Sequence, residues 1–233
     1  MSENPHIEEL SFEESIEFLF SLREGEFPYR IEAERDRHRL YAIDEARNTL
    51  WEFRLPLPLA ALPTERTEWR SYLHELEEEI PNYVLVLVQL GAAALGYFED
   101  GEVYIHKTIK KYMKRHKRGK AQISYLNTRG KSKAGSRIRL ANTIRFFEEI
   151  NEKLVEWSED FELERICFSG TAQVWGLLFQ SSPLPPFEKK DERLVKVPMD
   201  VKVPSFEEMM RVSDFIKKGR LSVHQLNYHP LEH

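Results

Sequence analysis

Apolar residues recur along the chain with two periods, and the changes of period divide it into elements. Ser11 followed three residues later by Glu14 forms a capping-box pattern, and Ile16, Leu19 and Phe20 continue at helical spacing as far as Gly25. That predicts a first helix. Residues 39–53 carry mixed signals that fit a pair of short strands across Asp44 to Asn48. Pro56, Pro58 and Pro63 mark a connector, after which Trp69, Tyr72, Leu73, Leu76 and Ile80 share one helical face. The spacing predicts a helix over residues 64–80, ended by Pro81.

Residues 83–90 are rich in β-formers and apolar on both faces, the pattern of a central strand. A second strand over 92–98 and a third over 102–109 are joined by the hairpin dipeptide Asp100-Gly101, giving an antiparallel meander. Residues 113–133 have almost no apolar content and contain Gly119 and Gly130, which predicts a long mobile loop. Leu140, Ile144, Phe147, Ile150, Leu154 and Trp157 then form a stripe on a helix over residues 134–157 that should pack across the sheet. A buried strand follows over 165–169, then a turn at Gly170 and a short helix around Val174 to Leu178. Beyond the proline-rich loop 183–186 come an edge strand near 194–197 and a last helix capped by Ser205 and Glu208, ending before Gly219.

This order predicts the mixed α/β (α+β) class: a mixed sheet containing an antiparallel meander, layered with helices. Residues 1–80 read as an added N-terminal unit, helical with some strand, and residues 81–230 as the main domain. Leu231-Glu232-His233 reads as the start of a histidine tag.

Charge changes the picture. The chain has 34 basic and 39 acidic residues, a net of −5, which taken alone argues against a nucleic-acid partner. Its distribution reverses that impression. Residues 103–147 contain no Asp or Glu but fourteen cations: Lys107, Lys110, Lys111, Lys114, Arg115, Lys117, Arg118, Lys120, Arg129, Lys131, Lys133, Arg137, Arg139 and Arg145. The rest of the chain therefore holds 20 basic residues against all 39 acids, a net of −19. A solvated surface ordinarily mixes both signs, so a polyanion such as RNA accounts for this segment better than solubility does. Arg137 and Arg139 open a helix, where positive charge opposes the dipole, a cost that phosphate contacts would offset.

Cys167 is the lone cysteine, so neither a disulfide framework nor a cysteine-based zinc site can be assembled from this chain, and a reducing, cytoplasmic setting is expected. Residues 1–10 lack the apolar core of an export signal, and the longest apolar run is broken by Gln89 and Gly91, so no membrane span is expected. Cys167 lies in a predicted buried strand and reads as a packed thiol. His38, His74, His224 and His229 show no metal-ligand spacing, and no Rossmann or Walker glycine pattern is present. The acids of residues 75–79 and Glu148, Glu149 and Glu152 read as solvated helix faces.

The ordered run His106-Lys107-Thr108-Ile109-Lys110-Lys111-Tyr112, then Arg115, Lys117 and Gly119-Lys120-Ala121-Gln122, then Ala134-Gly135-Ser136 with Arg139, resembles the Vms/ANKZF-like release-factor family in its bacterial branch. That family is related to the catalytic middle domain of archaeal and eukaryotic class-I peptide-chain release factors. The resemblance is specific over residues 84–154, extends weakly to Met210 and does not cover residues 1–80. It implies a release-factor middle-domain-like fold and hydrolysis of the ester between a nascent peptide and tRNA on stalled ribosomes. Partners would be the large ribosomal subunit and peptidyl-tRNA, and no metal or organic cofactor would be needed.

Release factors carry Gly-Gly-Gln in the loop, and the Vms-like branch a looser Gly-x-x-Gln. Gly119 and Gln122 match the latter, with Lys120 and Ala121 between them, two residues that resist backbone conformations open to glycine. Ester hydrolysis needs a placed water and donors aimed at the developing oxyanion, and a slender loop tip can offer a backbone N–H and a neutral amide that both donates and accepts. By residue chemistry alone Gln122 is an ordinary exposed amide; the ordered motif gives it the catalytic assignment with Gly119. RNA contacts are assigned to His106 and the cations from Lys107 to Arg139. Two other classes remain open: a non-catalytic ribosome- or RNA-binding factor, and a metal-dependent nuclease, for which Glu99, Asp100 and Glu102 are the candidate carboxylates.

Overall fold

The computed structural model describes residues 5–111, 134–225 and 230, with backbone alone for 134–140. The chain gathers into two compact units whose limits cut across the division expected at residue 80. The first comprises Met1–Asn82, Glu99–Glu102 and Val212–His233; the second comprises Tyr83–Phe98 and Val103–Arg211.

In the first unit, strand β1 (His6–Leu10) leads into helix α1 (Phe12–Glu24). The predicted capping box is formed: the Ser11 hydroxyl accepts from the Glu14 amide at 3.2 Å, and the Glu14 carboxylate accepts from the Ser11 amide at 2.7 Å. Strands β2 (Arg30–Glu34), β3 (Arg39–Ile43) and β4 (Thr49–Arg54) follow, with Asp44 accepting from the Asn48 amide in the turn between the last two. The sheet runs β1-β10-β4-β3-β2, antiparallel throughout, so β10 (Gly219–Val223) fills the place between β1 and β4.

Ile16, Phe18, Leu19 and Leu22 of α1 pack with Leu40, Ala42, Trp51, Phe53, Leu221 and Val223 of the sheet. Close approach at the start of β10 demands glycine, since a Cβ on Gly219 would lie 2.5 Å from the Phe53 ring. The N-terminal region is thus a sheet covered by a helix, with more strand than its sequence predicts. The helix predicted over residues 64–80 is cut to α2 (Trp69–His74). Glu75, Glu77, Glu78 and Glu79 would have placed four carboxylates at a helix C-terminus, against the dipole. Trp69 and Leu73 nonetheless reach the core.

In the second unit, β5 (Tyr83–Gln89) is buried along its length except at Gln89. It pairs antiparallel with β6 (Ala92–Glu99), from Tyr83 opposite Phe98 to Gln89 opposite Ala92. The turn into β7 (Glu102–Lys110) has positive φ at Asp100 (50°) and Gly101 (76°), the geometry that Asp-Gly dipeptides favour. After residues 112–133 the chain forms α3 (Ala134–Asp160), then β8 (Arg165–Ser169), parallel to β5. Helix α4 (Ala172–Leu178), N-capped by Thr171, precedes β9 (Leu194–Lys196), which pairs parallel with β8. The order β7-β6-β5-β8-β9 is the expected mixed sheet with a meander on one side.

Helix α3 lays Phe146, Phe147, Ile150, Leu154 and Trp157 against Val84, Val86, Val88, Ala93, Leu95 and Tyr97. Ile144, predicted to belong to the stripe, is 44% exposed because Thr143 takes the inward position at that turn. Helix α5 (Phe206–Ile216) has the predicted Ser205 cap, its hydroxyl accepting from the Glu208 amide at 3.2 Å. Glu208 does not close a capping box; its carboxylate accepts from the Lys202 amide at 2.5 Å and from Arg211 at 2.6 Å.

Because the α1 box satisfies two otherwise orphaned donors at the helix start, Ser11→Ala is expected to cost about 1 kcal/mol. Urea unfolding followed by circular dichroism would show it as a lower midpoint with an unchanged slope.

Candidate RNA-facing site

The basic segment begins on β7, the edge strand of the second sheet. His106, Lys107 and Lys110 are exposed on it, while Ile109 turns into the core. An edge strand leaves one row of backbone groups unpaired and its side chains uncrowded on that side, which is how these three site residues reach the surface without breaking the sheet. The His106 ring packs on Phe206 at the start of α5, centroids 4.4 Å apart and tilted by 42°. Lys107 and Lys110 make no ion pair among the described residues.

Just beyond the strand, the Lys111 amide donates to the Gly91 carbonyl at 3.0 Å, and its ammonium meets the Glu149 carboxylate at 2.6 Å. This pair fastens the exit of β7 to α3. Lys111 is therefore engaged within the protein, and Glu149, predicted as a solvated helix acid, is half-buried as its partner. Arg145 is exposed one turn earlier on α3, and Arg137 and Arg139 lie in that helix's opening turns, where there is no acid.

The two predicted catalytic residues, Gly119 and Gln122, lie outside the described residues, as do Lys114, Arg115, Lys117, Arg118, Lys120, Arg129, Lys131 and Lys133. The loop predicted over 113–133 falls there too. The fold fixes where that stretch is tethered: between the last residue of the edge strand and the first turn of α3. Sequence reasoning missed Glu149 and Phe206, each of which acts through a partner distant in the chain. The one local signal for Phe206 was a large apolar residue directly after a capping serine.

Other candidate groups have structural roles. Cys167 is fully buried, and burial pushes its thiol up to about 12, with Arg165 pulling weakly the other way. His38 is buried and its Nε2 lies 3.1 Å from the Pro56 carbonyl. Among the described residues, no group of three or more His, Cys, Asp or Glu could hold a metal ion, and no helix is long and apolar enough to cross a membrane.

Residues 83–224 match the family described as the Bacteroidetes VLRF1 release factor, and the chain belongs to that family. It is 30% identical over 182 residues to the Mus musculus protein named tRNA endonuclease ANKZF1, an alignment covering 75% of this chain and 24% of that protein. The Homo sapiens protein of the same name is 27% identical over 180 residues, with the same coverage. The chain thus spans about a quarter of the length of these curated relatives. Among solved structures, the Vms1 mitochondrial localization core aligns with a TM-score of 0.40 and 13% identity over 88% of this chain and 79% of that one. The archaeal translation termination factor aRF1 aligns with a TM-score of 0.36 and 15% identity, covering 77% and 49%.

A thiol with a pKa of about 12 is ionised to roughly one part in 10⁴ at pH 8. Cys167 is accordingly expected to resist a disulfide reagent in the folded protein at that pH and to react fully in guanidinium, which a colorimetric thiol titration would record.

Proposed function

We propose that this chain releases nascent peptides from tRNA on stalled cytoplasmic ribosomes, with Gln122 and Gly119 as the catalytic pair. The observation that carries the reading is membership of a release-factor family over residues 83–224, in a chain whose Gly119 and Gln122 fall within an acid-free segment tethered by β7 and α3. Water adds to the ester carbonyl, the ribose hydroxyl of tRNA leaves with a proton, and the peptide departs as a free acid. The Gln122 amide places the water, and backbone N–H groups of the loop face the developing oxyanion. The large subunit and the tRNA ribose complete the site, so the chain needs neither a triad nor a metal of its own. Lys114, Arg115, Lys117, Arg118 and their neighbours hold the RNA electrostatically, and the acidic remainder turns the encounter toward that face.

The name of the ANKZF1 relatives favours a second reading, cleavage of the tRNA chain itself. The products separate the two: hydrolysis of the ester leaves intact tRNA and free peptide, whereas endonucleolytic cut leaves the peptide still esterified to a short nucleotide fragment.

With ribosome-bound peptidyl-tRNA as substrate, Gln122→Ala is expected to slow peptide release by about 10² to 10³ while ribosome affinity stays unchanged. Mass analysis of the released peptide tells ester hydrolysis from tRNA cleavage. Equal rates for wild type and variant would remove Gln122 from the chemistry, and binding without release of any product would leave a non-catalytic RNA-binding factor.

Neutralising Lys114, Arg115, Lys117 and Arg118 together is expected to flatten the dependence of binding on salt, by about 0.7 in log-log slope for each lost single-strand phosphate contact. Binding that is insensitive to salt in the wild type would remove the basic segment as the contact surface.

A further inference from the structure

Phe206 stands first in α5, yet it does not turn inward with Met209, Val212 and Ile216; it remains 37% exposed, and Val203 nearby is 59% exposed. Its ring rests against His106, itself exposed on β7. Lys110 lies further along the same strand, close enough to act on the Glu207 carboxylate beside Phe206. An exposed benzyl ring normally costs solvation and is expected inside. Here two exposed rings meet on the strand that supplies the first cations of the acid-free segment.

We infer that Phe206 and His106 form a stacking platform for bases of single-stranded RNA, with Lys107 and Lys110 contacting the adjoining phosphates. The surface is continuous in the chain with the segment proposed to grip RNA, since β7 ends directly before it, and its charge complements a polyanion. Aromatic faces accept any base, and cations spaced along a strand can follow a phosphate backbone, the combination that sequence-tolerant single-strand binding uses. Glu207, the acid next to Phe206, is turned back on its own helix: the hydrogen bond from its own amide, then the Ser205 hydroxyl and Lys110, holds its carboxyl below the ordinary value. The inference rests on the release-factor reading only in naming the RNA strand that would be bound in the cell.

The test uses the whole chain and a short fluorescein-labelled single-stranded oligoribonucleotide, with affinity read by anisotropy at low and high salt. Loss of one stacked base weakens binding about tenfold. Phe206→Leu, which keeps an apolar side chain but removes the ring, is expected to show that loss at both salt concentrations, and Phe206→Trp is expected to bind like wild type. Lys110→Ala is expected to weaken binding mainly at low salt and to reduce the log-log slope by about 0.7. Wild-type affinity in Phe206→Leu would overturn the platform, as would failure of Phe206→Trp to bind. The assay contains no ribosome and no ester, so it can succeed where peptide release fails, and the reverse.

Discussion

The parallel pairing of β5 with β8 is the constraint on which the second unit depends. Two parallel neighbours cannot be joined by a tight turn, so the chain must leave the sheet, cross a face and return. Here it first extends the sheet outward through β6 and β7, and the return is made by α3, whose Phe147, Ile150, Leu154 and Trp157 cover Val84, Val86 and Val88. Residues 112–133 are the connection between the outermost strand and that returning helix. The stretch bearing Gly119 and Gln122 is thereby attached at both ends to elements that the core holds in place.

Charge follows the same division. The cations of residues 103–147 start on the edge strand and end on α3, and Lys111 with Glu149 joins the two supports across the base of the connecting stretch. An ion pair this exposed contributes modestly to stability, on the order of 1 kcal/mol or less. Its value is positional, because it fixes where the connection begins. The acidic remainder leaves a single strongly basic stretch, so the sign of the local field and the place where the proposed chemistry occurs coincide.

The elements legible in the sequence were those with local determinants. α1 is declared by Ser11 and Glu14, β5 by apolar residues on both faces, the hairpin by Asp100-Gly101, and α3 by its stripe. The first sheet was less legible: β1, β2 and β10 are five residues each, and none has a long apolar run. Residues 64–80 misled in the other direction, since apolar spacing favoured a long helix whose acidic end the dipole penalises. The site divides in the same way. The basic segment and the Gly119 to Gln122 motif are read from residue order alone, since residues 112–133 lie outside the described residues, and the family match over 83–224 bears on the resemblance to the family. Glu149 and Phe206 could not be read, because Lys111 and His106 reach them only after the sheet, α3 and α5 are assembled.

The placement of β10 has a consequence for how the protein comes into being. Its register joins Leu221 to both Glu8 and Phe53, so two strands made early are bridged by one made more than 160 residues later. During vectorial synthesis β1 and β4 emerge early and must wait, their edges unpaired, until the entire second unit has been translated. The second unit, whose strands all lie between those limits, can condense first. Residues 6–54 therefore supply strands whose sheet is completed only once residues 219–223 have been made, and a chain halted before Gly219 would carry an open sheet looking for a strand.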